Sequence, residues 1–390
     1  MKWKEYSLDE LINIKHGYAF KGEFFSEEPT DDILLTPGNF AIGGGFKAQK
    51  LKYYNGDFPV DYILDENDVI VTMTDLSKEA DTLGFSAKVP AWYGKRFLHN
   101  QRIGLVKLKT DDFDKDYLYW LMRTFSYQRF VANGATGATV KHTSPTKICQ
   151  YKFTAPDDKT TQRKIASILS AYDDLIENNL KRIKLLEEKA FVSYKLLVKS
   201  EKFKLEELYD TSSGGTPSRT NAEYFTGEIN WFKSKELADS ILLESEEKIT
   251  EQAVDKSSAK LFPAGSVIMA MYGATIGKLG LLSQPSTTNQ ACCAIIQKDE
   301  IQSNYYILNW LIENREYVLS FRMGAAQENI SQQIIRNLVV SIPKESDLKI
   351  FNQEMQPIYH LIKNLHQQNT KLREARDIIL PKLMNGQIEV

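Results

Sequence analysis

The sequence has three cysteines, Cys149, Cys292 and Cys293, in 390 residues. That is too few for a disulfide framework, and no histidine stands at zinc-ligand spacing beside them, so they read as buried thiols. Long hydrophobic runs are missing as well. The opening Met1-Lys2-Trp3-Lys4-Glu5-Tyr6 offers no apolar signal core and no later stretch reaches the length of a membrane span, so a cytoplasmic location is expected. No Pro-Pro occurs anywhere, which removes the Asn/Asp-Pro-Pro-aromatic motif of an amino-methyltransferase. Gly43-Gly44-Gly45 lacks the spacing of a dinucleotide fingerprint, and the stretch from Ser212 to Arg219 lacks the Gly-Lys-Ser/Thr ending of a phosphate loop. The five histidines, His16, His99, His142, His360 and His366, are scattered without nucleophile or metal spacing. Asp239, Glu246 and Lys248 are a conceivable nuclease set, but no proline precedes Asp239 and a charged surface helix or loop is the simpler reading. The net charge of −2 argues against a chain that coats nucleic acid and leaves local basic surfaces open.

What is present is a sequence written twice. Leu8-Asp9-Glu10-Leu11 with Gly17 is matched by Leu205-Glu206-Glu207-Leu208 with Gly214, and Val69-Ile70 before Met73 by Val267-Ile268 before Met271. Asn100-Gln101 returns as Asn289-Gln290 and Trp120-Leu121 as Trp310-Leu311. Gly137-Ala138, Ser144, Ile148 and Pro156 return as Gly324-Ala325, Ser331, Ile335 and Pro343 at one constant offset. Unbroken order over such a length indicates duplication. Each half has a mixed segment with strand-like runs (Val69 to Val71 and Ile103 to Leu108; Val267 to Met271 and Ala294 to Gln297), then a long charged helix, 159–198 or 345–384. The helices are entered after Pro156-Asp157-Asp158 and after Pro343, where Asp or Ser can cap the helix start.

Both helices carry apolar residues at alternating spacings of about four and three, the spacing of a coiled-coil seam. In the first the seam runs Ile165, Leu169, Tyr172, Ile176, Asn179, Ile183, Leu186, Ala190 and Leu197. In the second it runs Phe351, Met355, Ile358, Ile362, Leu365, Asn369, Leu372, Ile379 and Leu383, interrupted by Arg376. A stripe of this kind also suits a lone helix lying on its own domain. The matched lengths and the mid-seam asparagines favour an antiparallel pair in which Asn179 meets Asn369, with the globular segments at opposite ends about an approximate twofold axis. Pro357 is expected to kink or restart the second helix. The fold class is α+β: two pseudo-symmetric mixed α/β domains joined by two long antiparallel coiled-coil helices, divided as 1–155, 156–200, 201–343 and 344–390.

Basic residues collect where acids are absent. From Thr82 to Lys109, from Arg129 to Pro156 and from Lys256 to Lys298 there is no Asp or Glu. Most charge runs are simply solvated faces, but recurrence in both halves suits phosphate contact, and amide and guanidinium groups suit base edges. The candidate DNA-contacting set is Lys88, Lys95, Arg96, Asn100, Gln101, Arg102, Lys141 and His142 in the first half. In the second half it is Ser213, Thr216, Ser218, Arg219, Lys233, Tyr272, Lys278, Asn289, Gln290, Arg322 and Asn329. The Ser212–Arg219 stretch reads as a flexible, donor-rich loop. Tyr18, Phe46, Tyr93, Trp231, Phe232 and Tyr272 could stack on bases, though aromatics at this density more often form core.

Ser213-Gly214-Gly215-Thr216-Pro217-Ser218 with Tyr224-Phe225, Gly227 and Ile229-Asn230-Trp231, then Gly273-Ala274-Thr275-Ile276-Gly277-Lys278, Asn289-Gln290 and Asn329-Ile330-Ser331, resembles the specificity subunits of type I restriction-modification enzymes. Leu372 to Gly386 is similar to a helix of that family. The first half departs from the pattern, with His16-Gly17-Tyr18-Ala19-Phe20 in place of Gly-Gly-Thr-Pro and Thr74-Asp75 where Gly-Ala-Thr would begin. The resemblance implies two target recognition domains reading the parts of an asymmetric bipartite site on double-stranded DNA. It implies spacer helices docking two modification (adenine-N6 methyltransferase) subunits and, with them, restriction subunits, and no catalytic site in this chain. S-adenosylmethionine, ATP and Mg would then belong to the partner subunits. A duplicated coiled-coil scaffold that never touches DNA is the alternative.

Overall fold

The computed structural model describes residues 2–77, 79–299, 302–323 and 328–390; the repeat landmarks Gly324 and Ala325 lie outside the described residues. The chain forms two compact units, Met1–Asp174 with Leu372–Val390, and Leu175–Lys371. The division falls inside both long helices, so each unit owns a share of each.

In the first unit Trp3–Ser7 pairs antiparallel with Lys152–Pro156, and the turn of helix Leu8–Leu11 leads into a sheet ordered Ile12–His16, Ile103–Leu108, Val69–Thr72, Ser86–Lys88. The second unit repeats this plan. Lys199–Lys204 pairs with Val339–Pro343, Leu205–Leu208 forms the helical turn, and the sheet runs Tyr209–Ser213, Cys292–Gln297, Val267–Ala270, Leu279–Leu282, with Ser240–Leu242 added at the edge. The central strands Val69–Thr72 and Val267–Ala270 are buried at every position. Their continuous apolar and β-branched sequences, without alternation, reflect cover on both faces.

The helices are Lys159–Lys195 and Glu345–Met384. Asp158 opens the first, its Oδ1 accepting from the Thr161 N–H at 2.8 Å. Glu345–Met384 runs through Pro357 without a break. The expected restart is absent because Phe351, Met355, Ile358 and Ile362, on both sides of the proline, are buried in one apolar cluster with Ile183, Ala190 and Tyr194, and that burial outweighs one missing backbone hydrogen bond. Within the second unit the helix segments pair antiparallel, Asn179 with Asn369 and Glu187 facing Tyr359. Ile176, Asn179, Ile183, Ile358, Ile362, Leu365 and Asn369 are buried, Leu186 half-buried. Within the first unit Leu169 is buried, Tyr172, Leu372 and Ile379 are half-buried, and Leu380 and Leu383 join Ile165 and Leu169 in the core. The Arg376 interruption has a partner: its guanidinium binds Asp173, whose other oxygen takes the buried Arg123 at 2.6 Å. Burial pushes the Asp173 pKa up, but Arg123 and Arg376 outweigh it and hold the carboxyl below its ordinary value.

Among the described residues no helix is long and apolar enough to cross a membrane. Cys292 and Cys293 are buried and Cys149 is half-buried.

Candidate nucleic-acid interface

In the first unit four separate segments are laced together at the end of the central strands. The Tyr18 N–H donates to His99 O (2.8 Å) and the Gln101 N–H to Tyr18 O (2.9 Å); the Met73 N–H donates to Arg102 O (2.9 Å) and the Thr143 N–H to Met73 O (3.0 Å). Lys141–His142 pairs antiparallel with Thr74–Asp75. This brings Gln101, Arg102, Lys141 and His142 into one neighbourhood. Gly17 is required there, since a Cβ would fall 2.1 Å from Asn100 O. Asn100 is structural: it is buried and its Oδ1 accepts from the Arg102 N–H at 3.0 Å. His99 is buried too, its Nε2 2.9 Å from Ile103 O while Nδ1 has no partner among the described residues. Burial lowers its pKa from 6.5 to about 4, so the ring is neutral with the proton on Nε2. Asp75 is buried and saturated by Ser77 N–H (2.7 Å), Thr82 N–H (2.7 Å) and Thr82 Oγ1 (2.6 Å). Burial works against its charge, but these bonds outweigh it and keep its pKa low.

The second unit repeats three of these four bonds. The Gly215 N–H donates to Thr288 O (2.9 Å), the Met271 N–H to Ala291 O (2.8 Å) and the Ile330 N–H to Met271 O (2.9 Å). Tyr272 is bridged to Asn329. A Cβ on Gly214 would fall 2.4 Å from Asn289 O, as one on Gly17 would meet Asn100. Even the flanking bridges agree, Thr136 with His142 and Met323 with Asn329. Ser213, Thr216, Tyr272, Asn289, Gln290 and Asn329 are thereby gathered. The Gly214–Gly215 stretch is not the flexible loop its composition suggested. A Cβ on Gly215 would sit 2.1 Å from Ser258 O, and Trp231 Nε1 donates to Gly215 O at 2.9 Å; these glycines serve close packing. Trp231 and Phe232 are core residues, whereas Tyr272 is partly and Tyr93 fully exposed. Ser213 Oγ donates to Gln332 Oε1 at 2.9 Å, Ser218 lies 2.8 Å from the Thr220 hydroxyl, and the Thr216 hydroxyl donates to Gln290.

Acid-free in sequence is not acid-free in space. Lys88 meets Asp116 at 2.9 Å, Lys95 meets Asp31 at 2.9 Å, and Arg96 forks onto Asp32 at 2.6 and 2.7 Å. Arg219 reaches Glu247 at 2.6 Å while lying over the rings of Phe225 and Trp231, and Lys233 reaches Glu246 and Glu247. Lys278 meets Asp239 at 3.0 Å and Arg322 meets Glu328 at 2.7 Å. Asp239 also takes Arg315 at 2.6 Å; burial opposes its charge, but Arg315 and Lys278 prevail and lower its pKa. It is a clamp, and among the described residues no group of three or more His, Cys, Asp or Glu side chains could hold a metal ion. Of the candidate cations, Arg102 and Lys141 have no acidic partner among the described residues.

The sequence profile of the type I restriction modification DNA specificity domain matches residues 1–188 and again 198–376. The chain belongs to this family. The type I restriction enzyme MjaIX specificity subunit of Methanocaldococcus jannaschii is 25% identical over 301 residues, 70% of this chain and 69% of that one. The EcoR124I/EcoR124II specificity subunit of Escherichia coli is 35% identical over 96 residues, 24% of each chain. In fold, the chain is similar to the crystal structure of a type I restriction-modification system S subunit from M. genitalium, with TM-score 0.59 and 14% identity over 98% of this chain and 96% of that one. The family match falls once on each half of the duplication. As a specificity subunit the chain is a DNA-recognition component and not a catalytic one.

Proposed function

We propose that the chain reads an asymmetric bipartite site on double-stranded DNA, one part per unit, and docks modification and restriction subunits that carry S-adenosylmethionine, ATP and Mg chemistry. One observation supports this most: the same backbone lacing is built twice and dressed with unlike side chains. Identical readers on a twofold frame would select a palindrome, so unlike readers select two different half-sites. The exposed ion pairs at Lys95 and Arg219 do not oppose it. An exposed pair contributes at most about 1 kcal/mol, so a phosphate can replace the carboxylate. Helices of 37 and 40 residues, roughly 55–60 Å long at the α-helical rise, serve as the spacer between the two readings.

The test is exchange of residues 1–155 for those of another family member, followed by sequencing of methylated sites in cells carrying the hybrid. One half of the motif changes and the other stays. If both halves change, the modular reading fails. The number of candidate cations already paired with acids favours a second reading, a duplicated scaffold that does not bind DNA. DNA retention by the complex with its methyltransferase, falling steeply with salt, separates the two.

A further inference from the structure

The duplicated lacing bears out in space the residue-by-residue correspondence that the order of the repeat implies. Met73 and Met271 make the same pair of backbone bonds, to Arg102 and Thr143 in one unit and to Ala291 and Ile330 in the other. It follows that Arg102 corresponds to Ala291, Lys141 to Glu328, and His142 to Asn329; the last two pairings are fixed by the bridges to Thr74–Asp75 and by the Tyr272 bridge with the Gly273 N–H on Glu328 O.

The chemistry at these shared positions differs in kind. The first unit presents Arg102, exposed and without an ion-pair partner among the described residues, beside Lys141 and His142, the last held by Thr74 Oγ1 at 3.2 Å. The buried carboxylate of Asp75, on the strand paired with Lys141–His142, is spent on its own loop and does not neutralise them. The second unit has a methyl group at Ala291, a glutamate paired with Arg322, and at Asn329 a half-buried amide whose side chain makes no hydrogen bond among the described residues. Tyr272, partly exposed, stands next to it.

We infer that the two units read bases from different positions of the shared lacing: Arg102, where the second unit has Ala291, reads a guanine in the half-site of the first unit, and Asn329, where the first unit has His142, reads an adenine in that of the second. A guanidinium donates twice to guanine O6 and N7 and has no acceptor for the amino group of adenine. A carboxamide both accepts from adenine N6 and donates to N7. The lacing supports the assignment physically, because each side chain stands on a backbone fixed by hydrogen bonds on both flanks, as a bidentate contact requires. The inference rests on the bipartite reading proposed above.

The experiment uses the full chain assembled with its modification subunits and a randomised double-stranded DNA library, with bound sequences read at two salt concentrations. Neither side chain packs into a core, so Arg102→Ala and Asn329→Ala fold. R102A is expected to lose about 5- to 150-fold discrimination at one guanine position in one half of the motif, and N329A at one adenine position in the other half. R102K retains part of the guanine preference as a single donor. The assignment is overturned if R102A lowers affinity for all sequences alike with a shallower salt dependence, which marks a phosphate contact. It is equally overturned if either variant relaxes a different base or if both act on the same half. If the unaltered complex selects no motif at all, the bipartite reading itself falls, a result distinct from any of these.

Discussion

Asn179 and Asn369 meet inside an otherwise apolar seam, 6% and 1% exposed, with Asn179 Nδ2 donating to Asn369 Oδ1 at 3.0 Å. The remaining Asn369 N–H group has no partner among the described residues, so the pair is half satisfied. Replacing Asn179 alone by leucine buries about 1–2 kcal/mol more apolar surface. It also strips the Asn369 amide of its remaining bond, a loss of about 1–3 kcal/mol, and the net is neutral to destabilising. The corresponding seam positions, Leu365 and Ile183, are both buried, which shows what shape the frame accepts. N179L/N369I copies that layer, leaves no amide stranded, and should exceed the parent by about 1–3 kcal/mol. A double-mutant cycle from urea unfolding of the intact chain, followed by far-UV circular dichroism, reads the coupling. Single losses that add to the double within about 0.5 kcal/mol would refute the reasoning, because they would show that the two amides do not depend on each other. A double variant that is more stable but fails to support one sharp spacer would show that the asparagines fix register at the expense of stability.

Removing the carboxylate in Asp173→Asn leaves Arg123, 2% exposed, uncompensated, and should destabilise by about 3–5 kcal/mol; Glu177→Gln, which breaks the exposed pair with Lys181, should fall within about 0.5 kcal/mol, and calorimetry compares them. Gly17→Ala and Gly214→Ala force a Cβ into backbone oxygens at 2.1 and 2.4 Å, so each should lose about 1–3 kcal/mol and weaken DNA binding by its own half alone; unchanged melting would contradict the close approach. His99 has a folded pKa of about 4 against an ordinary 6.5, so the unfolded chain takes up its proton first. Stability is therefore full above pH 6.5 and declines as pH falls toward 4, by up to about 3 kcal/mol. Glu187, raised to about 6 by burial, slopes the opposite way between pH 6 and its ordinary value. The readout is accordingly the difference between the parent and His99→Gln across that window, and parallel curves would show that His99 does not titrate as argued.

The duplication, the starts of both helices and the Asn179–Asn369 meeting were legible because each depends on period or order along the chain, and a coiled-coil seam is written locally at every turn; the first helix ends at Lys195, short of the expected Val198. Charge pairing was not, because its distance in space has no relation to distance in sequence. Lys95 and Arg96 look unopposed within their own stretch, yet the parallel pairing of Arg96–Leu98 with Asp32–Leu34 sets Arg96 directly against Asp32. Arg376 looked like a flaw in the seam and is a ligand of Asp173. The glycines of Gly214–Gly215 looked mobile because composition reports conformational freedom and not the carbonyls that will close around them. The same reasoning explains why Arg102 stands out only in three dimensions. Strand pairing uses up the cations near acidic strands and the buried Asp75 answers only its own loop. Of the candidate cations left over, Arg102 and Lys141, the first stands where two backbone segments cross, and the second unit has a methyl group at that crossing. A frame that keeps its hydrogen bonds and changes only the side chains at one crossing can acquire a new target without relearning how to fold.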